Sequence, residues 1–143
     1  MTFEQESAFG AAFAVGALAL GQILFIVGCR TVQIMSGKKQ PGGFGKSRNE
    51  TENSLYGRVS NSHANLMESL PIFYMVVVTN ALVDGSPDIS SKAWWYAMAR
   101  FSQAIMHWTS VSPNAVTIRF IFFMTSLGLI ITMALETMGI ALM

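Results

Sequence analysis

From Ala8 to Cys29 the chain runs without a charged side chain, and Gln22 is the one strongly polar residue in the run. A segment of this length crosses the roughly 30 Å hydrocarbon core of a bilayer as a helix. In lipid it must satisfy its own backbone, which a helix does and an isolated strand does not. Charged residues make up 12% of the 143 positions and apolar residues 52%, whereas soluble domains carry about 25% charged residues. The expected molecule is therefore an integral membrane protein. Three further spans are expected, at about Ala64 to Val83, Ala93 to Val111 and Val116 to Leu135, the last with a continuation to Leu142 left open. The third is the least apolar. The breaks Asp84-Gly-Ser-Pro-Asp88 and Ser112-Pro-Asn114 consist of turn formers. The fold expected is all-α: one membrane domain over residues 1–143, a bundle of four transmembrane helices with spans near 8–29, 64–83, 93–111 and 116–135.

The beginning of the chain carries Glu4 and Glu6 and no basic residue before Arg30. A secretory signal starts with positive charge, so the first span is expected to be retained. Arg30, Lys38, Lys39, Lys46, Arg48 and Arg58 all lie between spans one and two. The positive-inside rule puts that loop in the cytoplasm and both termini outside. Trp94, Trp95 and Tyr96 open span three and read as an outer interfacial belt. The net charge of +1 gives no nucleic-acid signal. One cysteine, Cys29, excludes an internal disulfide. Two histidines on separate spans lack metal-ligand spacing, and no metal is expected.

Two short matches in the first loop are discounted. Gln40-Pro-Gly-Gly-Phe-Gly-Lys46-Ser47 approaches a phosphate loop, but it lacks the first glycine and a preceding buried strand. Asn49-Glu-Thr51 is a glycosylation sequon that a cytoplasmic loop would not present to the transferase.

The chemistry-bearing segment is Arg58 to Phe73, where Arg58, Asn61, Asn65 and Glu68 share one narrow helical face at about 100° per residue. His63 points away from it. Arg100, Gln103 and His107 recur at i, i+3 and i+7 in span three, and Arg119 shares a face with Ser126 in span four. Ionisable groups facing lipid cost several kcal/mol, so they turn inward or toward another subunit. Glu68 is the carboxylate placed to balance Arg100 or Arg119. The arginines outnumber it, and the surplus charge asks for an anionic ligand; positive charge would also favour a thiolate. A purely structural reading stays open, in which Glu68 pairs with an arginine and sets helix register. Ala8, Ala12 and Gly16 form a small-residue ridge suited to close helix contact, with the partner unspecified.

Arg58-x-x-x-x-His63-x-Asn65-x-x-Glu68, followed by Leu70-Pro71, with Arg100 and Arg119 behind it, resembles the family of membrane-associated proteins in eicosanoid and glutathione metabolism (MAPEG). The resemblance covers nearly the whole chain. It implies a homotrimer of four-helix bundles in a bacterial inner membrane or a eukaryotic internal membrane. It implies glutathione as cosubstrate, held between subunits near the cytoplasmic face, and lipids or lipophilic small molecules as reaction partners. Carried over by residue, Arg119 would stabilise the thiolate, Asn65 and Glu68 would position glutathione, and Arg100 would support the site. Arg30 stands near an arginine that ends span one in such proteins. Asn61 stands where many members have a carboxylate-binding arginine, and His107 where they often have tyrosine; Gln103 also departs. Losing one charge-assisted contact costs about 1.5–3 kcal/mol, and His107 can still hydrogen-bond.

The expected function is a membrane-bound glutathione-dependent transferase or peroxidase acting on lipophilic electrophiles or lipid hydroperoxides. The alternative is a non-enzymatic lipid-binding or accessory subunit with a degenerate glutathione site, held in a larger membrane assembly.

Overall fold

The computed structural model describes residues 2–44, 54–83 and 85–139. Lys46, Ser47, Arg48, the Asn49 sequon, Asp84 of the second break and residues 140–142 of the continuation left open for span four lie outside the described residues, while the described part of that continuation is helical only to Thr137. Within them the chain forms α1 (Phe3–Met35), α2 (Leu55–Leu82), α3 (Ser90–Thr109) and α4 (Pro113–Thr137), with one 3-10 turn at Pro41–Gly43.

The helix ends are set by caps rather than by where the apolar runs stop. Thr2 and Gln5 form a reciprocal capping box at the start of α1. Ser54 accepts from the Gly57 N–H to start α2, so the polar segment beginning at Arg58 is helical throughout. Ser112 accepts from the Ala115 N–H, with Pro113 as the first residue of α4, where its missing N–H costs nothing. Helix α1 therefore runs well past its expected span at both ends.

α1, α2 and α4 are long and apolar enough to cross a membrane. α3 has 20 residues, about 30 Å of helix. Its lower hydropathy comes from Arg100, Gln103 and His107, and the first two are buried. α3 packs on all three of the other helices, and α2 does the same. This central pair can hold polar groups away from lipid because α1 and α4 flank it.

The core is Ala8, Ala11, Ala12, Val15, Leu66, Leu70, Phe73, Val77, Ala93, Tyr96, Ala97 and Met133, joined by a few more apolar residues. Ala8 and Ala12 of the small-residue ridge are spent inside this chain, and the Tyr74 hydroxyl crosses to the Ala12 carbonyl at 3.0 Å. Gly16 makes room for that crossing, since a Cβ there would collide with the Tyr74 hydroxyl. Large apolar side chains such as Phe13 (79% exposed), Leu24 and Phe120 cover the outside of the bundle. A soluble monomer does not expose apolar surface on that scale, whereas lipid solvates it at no cost.

Trp94 and Trp95 are exposed, as a belt requires, and Trp94 donates to the Ser7 hydroxyl at 3.1 Å. Tyr96 corrects the expectation of a three-residue belt. It is 0% exposed and stacks on Phe73 with ring centroids 4.0 Å apart. Consecutive helix positions point about 100° apart, so a belt of three neighbours must turn one of them inward.

Candidate functional site

Two networks of polar side chains occupy the half of the bundle where α2 and α4 begin and α3 ends. The inner one is built on Arg100, which is 2% exposed. Its Nη1 donates to Asn65 Oδ1 at 3.2 Å and to Gln103 Oε1 at 2.5 Å. Its Nη2 donates to the Ser69 hydroxyl and its Nε to the Tyr96 hydroxyl at 3.4 Å. Ser69 and Tyr96 also bond each other at 2.9 Å. The guanidinium lies 5.6 Å from the Tyr96 ring centroid and 5.4 Å from that of Phe123, within cation–π range.

Because arginine only donates, this network fixes both amides. Asn65 Oδ1 must face Arg100, and Gln103 Oε1 likewise. Gln103 Nε2 then donates to the same Asn65 oxygen at 2.9 Å. The Asn65 carbonyl is thereby consumed, and its amide N–H groups are what it can offer a ligand.

The outer network borders an open cleft of about 450 Å³ lined by Arg58, Asn61, Asn65, Gln103, His107 and Arg119, with Val111, Val116, Phe120 and Phe123 as its apolar side. That volume suits a small organic ligand. Arg119 donates through Nη1 to His107 Nδ1 at 2.9 Å and through Nε to the Ala115 carbonyl of its own helix at 3.3 Å. Its remaining three N–H donors have no partner among the described residues. Arg58 donates to the Trp108 carbonyl at 2.9 Å. A small void behind the cleft, lined by Ser62, Asn65, Arg100, Gln103 and His107, joins the two networks.

Of the residues expected in a site, Asn61, Asn65, His107 and Arg119 line the cleft, and Arg100 stands directly behind it. Two do not line it. Arg30 ends on α1, where its Nε donates to the Tyr56 hydroxyl at 2.9 Å and its guanidinium lies over the Phe44 ring. Glu68 is exposed on the outer face of α2. The expected pairing of Glu68 with Arg100 or Arg119 is therefore not the arrangement found: both guanidiniums bond neutral acceptors. The physical reason is angular. Ser69, the next residue, takes the inward direction toward α3, which leaves Glu68 at the outer edge of the polar arc.

Sequence reasoning missed Ser69, Tyr96 and Ser62. Ser69 lies four residues after Asn65 and Tyr96 four before Arg100, one helical turn in each case, so extending the polar stripes by a turn would have found both. Ser62 accepts from buried Gln22 at 2.9 Å and ties α1 to α2. A larger hollow of about 570 Å³ lies at the opposite end, lined by Thr2, Glu4, Asn80, Ser86 and Asp88 among others, with no cationic side chain lining it among the described residues.

Chemically the cleft is rich in donors. Arg119 and the Asn65 amide present N–H groups, Arg58 adds positive charge to the lining, and the buried Arg100 charge stands behind them with no carboxylate among its hydrogen-bond partners. Such a site favours an anion, with an apolar wall beside it for a lipophilic group. The model of one protein family, the MAPEG family, matches residues 12–139. No curated protein and no solved structure matches the chain.

Proposed function

The chain belongs to the MAPEG family of membrane proteins, and from that premise we propose that it is a glutathione-dependent transferase or peroxidase acting on lipophilic electrophiles or lipid hydroperoxides. The observation that carries this reading is the cleft itself. Arg119 keeps three N–H donors unspent, beside an Asn65 whose amide nitrogen is turned to the ligand side. Glutathione carries two carboxylates and a thiol, and both kinds of group gain from such a lining. Arg119 would hold the sulfur as thiolate, Asn65 and Asn61 would bond the peptide, and Arg58 would attract a carboxylate. The apolar wall of Val111, Val116, Phe120 and Phe123 would receive the lipophilic partner.

The chemistry is nucleophilic attack by the cosubstrate. The thiol proton leaves to solvent and the thiolate attacks an electrophilic carbon. A C–S bond forms as the leaving group departs with its electron pair. With a hydroperoxide, the thiolate attacks the terminal oxygen, the O–O bond breaks, and the alkoxide leaves with the electron pair and takes a proton from solvent to become the alcohol. A second glutathione then displaces water from the sulfenic acid to give the disulfide. The protein supplies position and electrostatic stabilisation.

In this reading α3 also crosses the membrane, which makes four spans, the first loop is cytoplasmic and the functional unit is a homotrimer. Glu68 on the outer face of α2 and Arg30 on α1 would then reach glutathione only across a subunit boundary. The membrane is a bacterial inner membrane or a eukaryotic internal one.

The test is titration of glutathione into detergent-solubilised protein, watching the ultraviolet thiolate band. The expected result is a saturable thiolate signal at neutral pH that disappears in Arg119→Ala. Absence of any binding at millimolar glutathione would defeat the proposal. A second reading, a lipid-binding or accessory subunit in a larger assembly, draws on Asn61, which stands in the cleft where a carboxylate-binding arginine would strengthen the site. A stoichiometric co-purifying partner together with no glutathione binding would favour it.

A further inference from the structure

Arg119 is related to the rest of the cleft by one contact. Its bond to the Ala115 carbonyl stays within α4 and says nothing about α2 or α3. The bond that crosses between helices is the one to His107 Nδ1, at 2.9 Å. A guanidinium has no acceptor, so His107 must accept, with its own proton on Nε2.

His107 stands on the α3 stripe that carries Arg100 and Gln103, seven and four residues before it. Those two residues fix the orientation of Asn65 on α2. One face of α3 therefore sets two donors that reach the cleft from different helices, Asn65 from α2 and Arg119 from α4. Both line the cleft together with His107.

We infer that His107 is a positioning residue for Arg119, holding the guanidinium in register with Asn65 so that its unspent N–H donors meet the sulfur of the bound thiol. This rests on the glutathione reading above. His107 acts through Arg119 and not by touching the peptide. Removing its acceptor leaves Arg119 free to swing between rotamers. Binding of the peptide survives and stabilisation of the thiolate does not.

The experiment uses the full chain in detergent with two probes. Glutathione reports thiolate formation by its ultraviolet band across a pH series, and S-methylglutathione reports peptide binding without an ionisable thiol. In His107→Phe the bound thiol should titrate at higher pH, lowering the thiolate fraction at neutral pH about tenfold, one pKa unit. S-methylglutathione should still bind. His107→Asn places a carbonyl oxygen near the Nδ1 position and should restore most of the wild-type titration. A merely structural role predicts no such rescue and no such split. The inference is overturned if His107→Phe titrates as wild type, if it loses S-methylglutathione and thiolate together, or if His107→Asn behaves as His107→Phe. Should His107→Phe fail to fold, the His107→Asn titration decides alone: a wild-type curve supports the inference, and one displaced to higher pH overturns it. If the wild type binds neither probe, the glutathione reading itself falls, an outcome distinct from each of the others.

Discussion

Arg100 and Arg119 are the same residue on neighbouring helices, and the fold treats them in opposite ways. Arg100 spends four of its five N–H donors on neutral acceptors from α2 and α3. It lies between the Tyr96 and Phe123 rings at 2% exposure. Arg119 spends two, is half-buried, and borders an open cleft. A buried guanidinium with its donors filled organises a core. One with donors left over binds something. What an arginine does here follows from the donors its neighbours leave unclaimed, and the Arg100 charge still adds to the field that Arg119 offers a ligand.

The widest separation between the two should come from removing each side chain. Arg119→Ala should cut thiolate formation and turnover about 10²–10³-fold, as loss of a preorganised donor does. Its melting temperature in detergent should barely move. Equal loss of stability and activity would erase the distinction. Arg100→Met should do the reverse first. Asn65, Gln103, Ser69 and Tyr96 would lose a donor in a buried setting, on the order of 1–3 kcal/mol for each acceptor left unpaired. Thermal unfolding should show it, with glutathione binding weakened only as Asn65 loses its orientation.

Apolar packing away from both arginines supplies a sharper control. Gly16→Ala should destabilise by about 1–3 kcal/mol through overpacking, because the new methyl meets the Tyr74 hydroxyl. The double variant Gly16→Ala with Tyr74→Phe should recover most of that loss, since the ring carbon beneath the hydroxyl is at an ordinary 3.6 Å. Absence of recovery would mean that the clash is not the cause. Neither variant should alter thiolate titration.

The smallest effect belongs to the far end of the bundle. The Ser90 hydroxyl and N–H bond the exposed Asp88 carboxylate and hold its pKa below the usual value. A depressed folded pKa gives stability that is present above the unfolded value and is lost as pH falls through the folded one. Asp88→Ala should therefore lower the melting temperature slightly at neutral pH. The difference from wild type should shrink as pH falls through and below the ordinary aspartate range. Cleft chemistry should be untouched.

Much of the architecture was legible before the structure. The uncharged run from Ala8 to Cys29 and its successors locate the helices, since lipid leaves the backbone no alternative. The stripes of Asn61 and Asn65, of Arg100, Gln103 and His107, and of Arg119 do converge on one end of the bundle. Tyr96 turns inward where a belt was expected, and Glu68 turns out of this chain's own cleft, for a shared reason. Each sits beside a residue of similar polarity, Trp95 and Ser69, and a turn of about 100° decides which of the two faces inward. Composition alone cannot separate such neighbours.

Periodicity and lipid exclusion by themselves determined an all-helical membrane protein with Arg58, Arg100 and Arg119 gathered toward one end. Only the packed bundle decided that Arg100 would be sealed by Ser69, Tyr96, Asn65 and Gln103 while Arg119 stayed open beside His107. Sequence spacing sets which face of a helix a side chain occupies. Whether a donor-only group finds all its acceptors depends on distances between helices, and those exist only once the helices have packed.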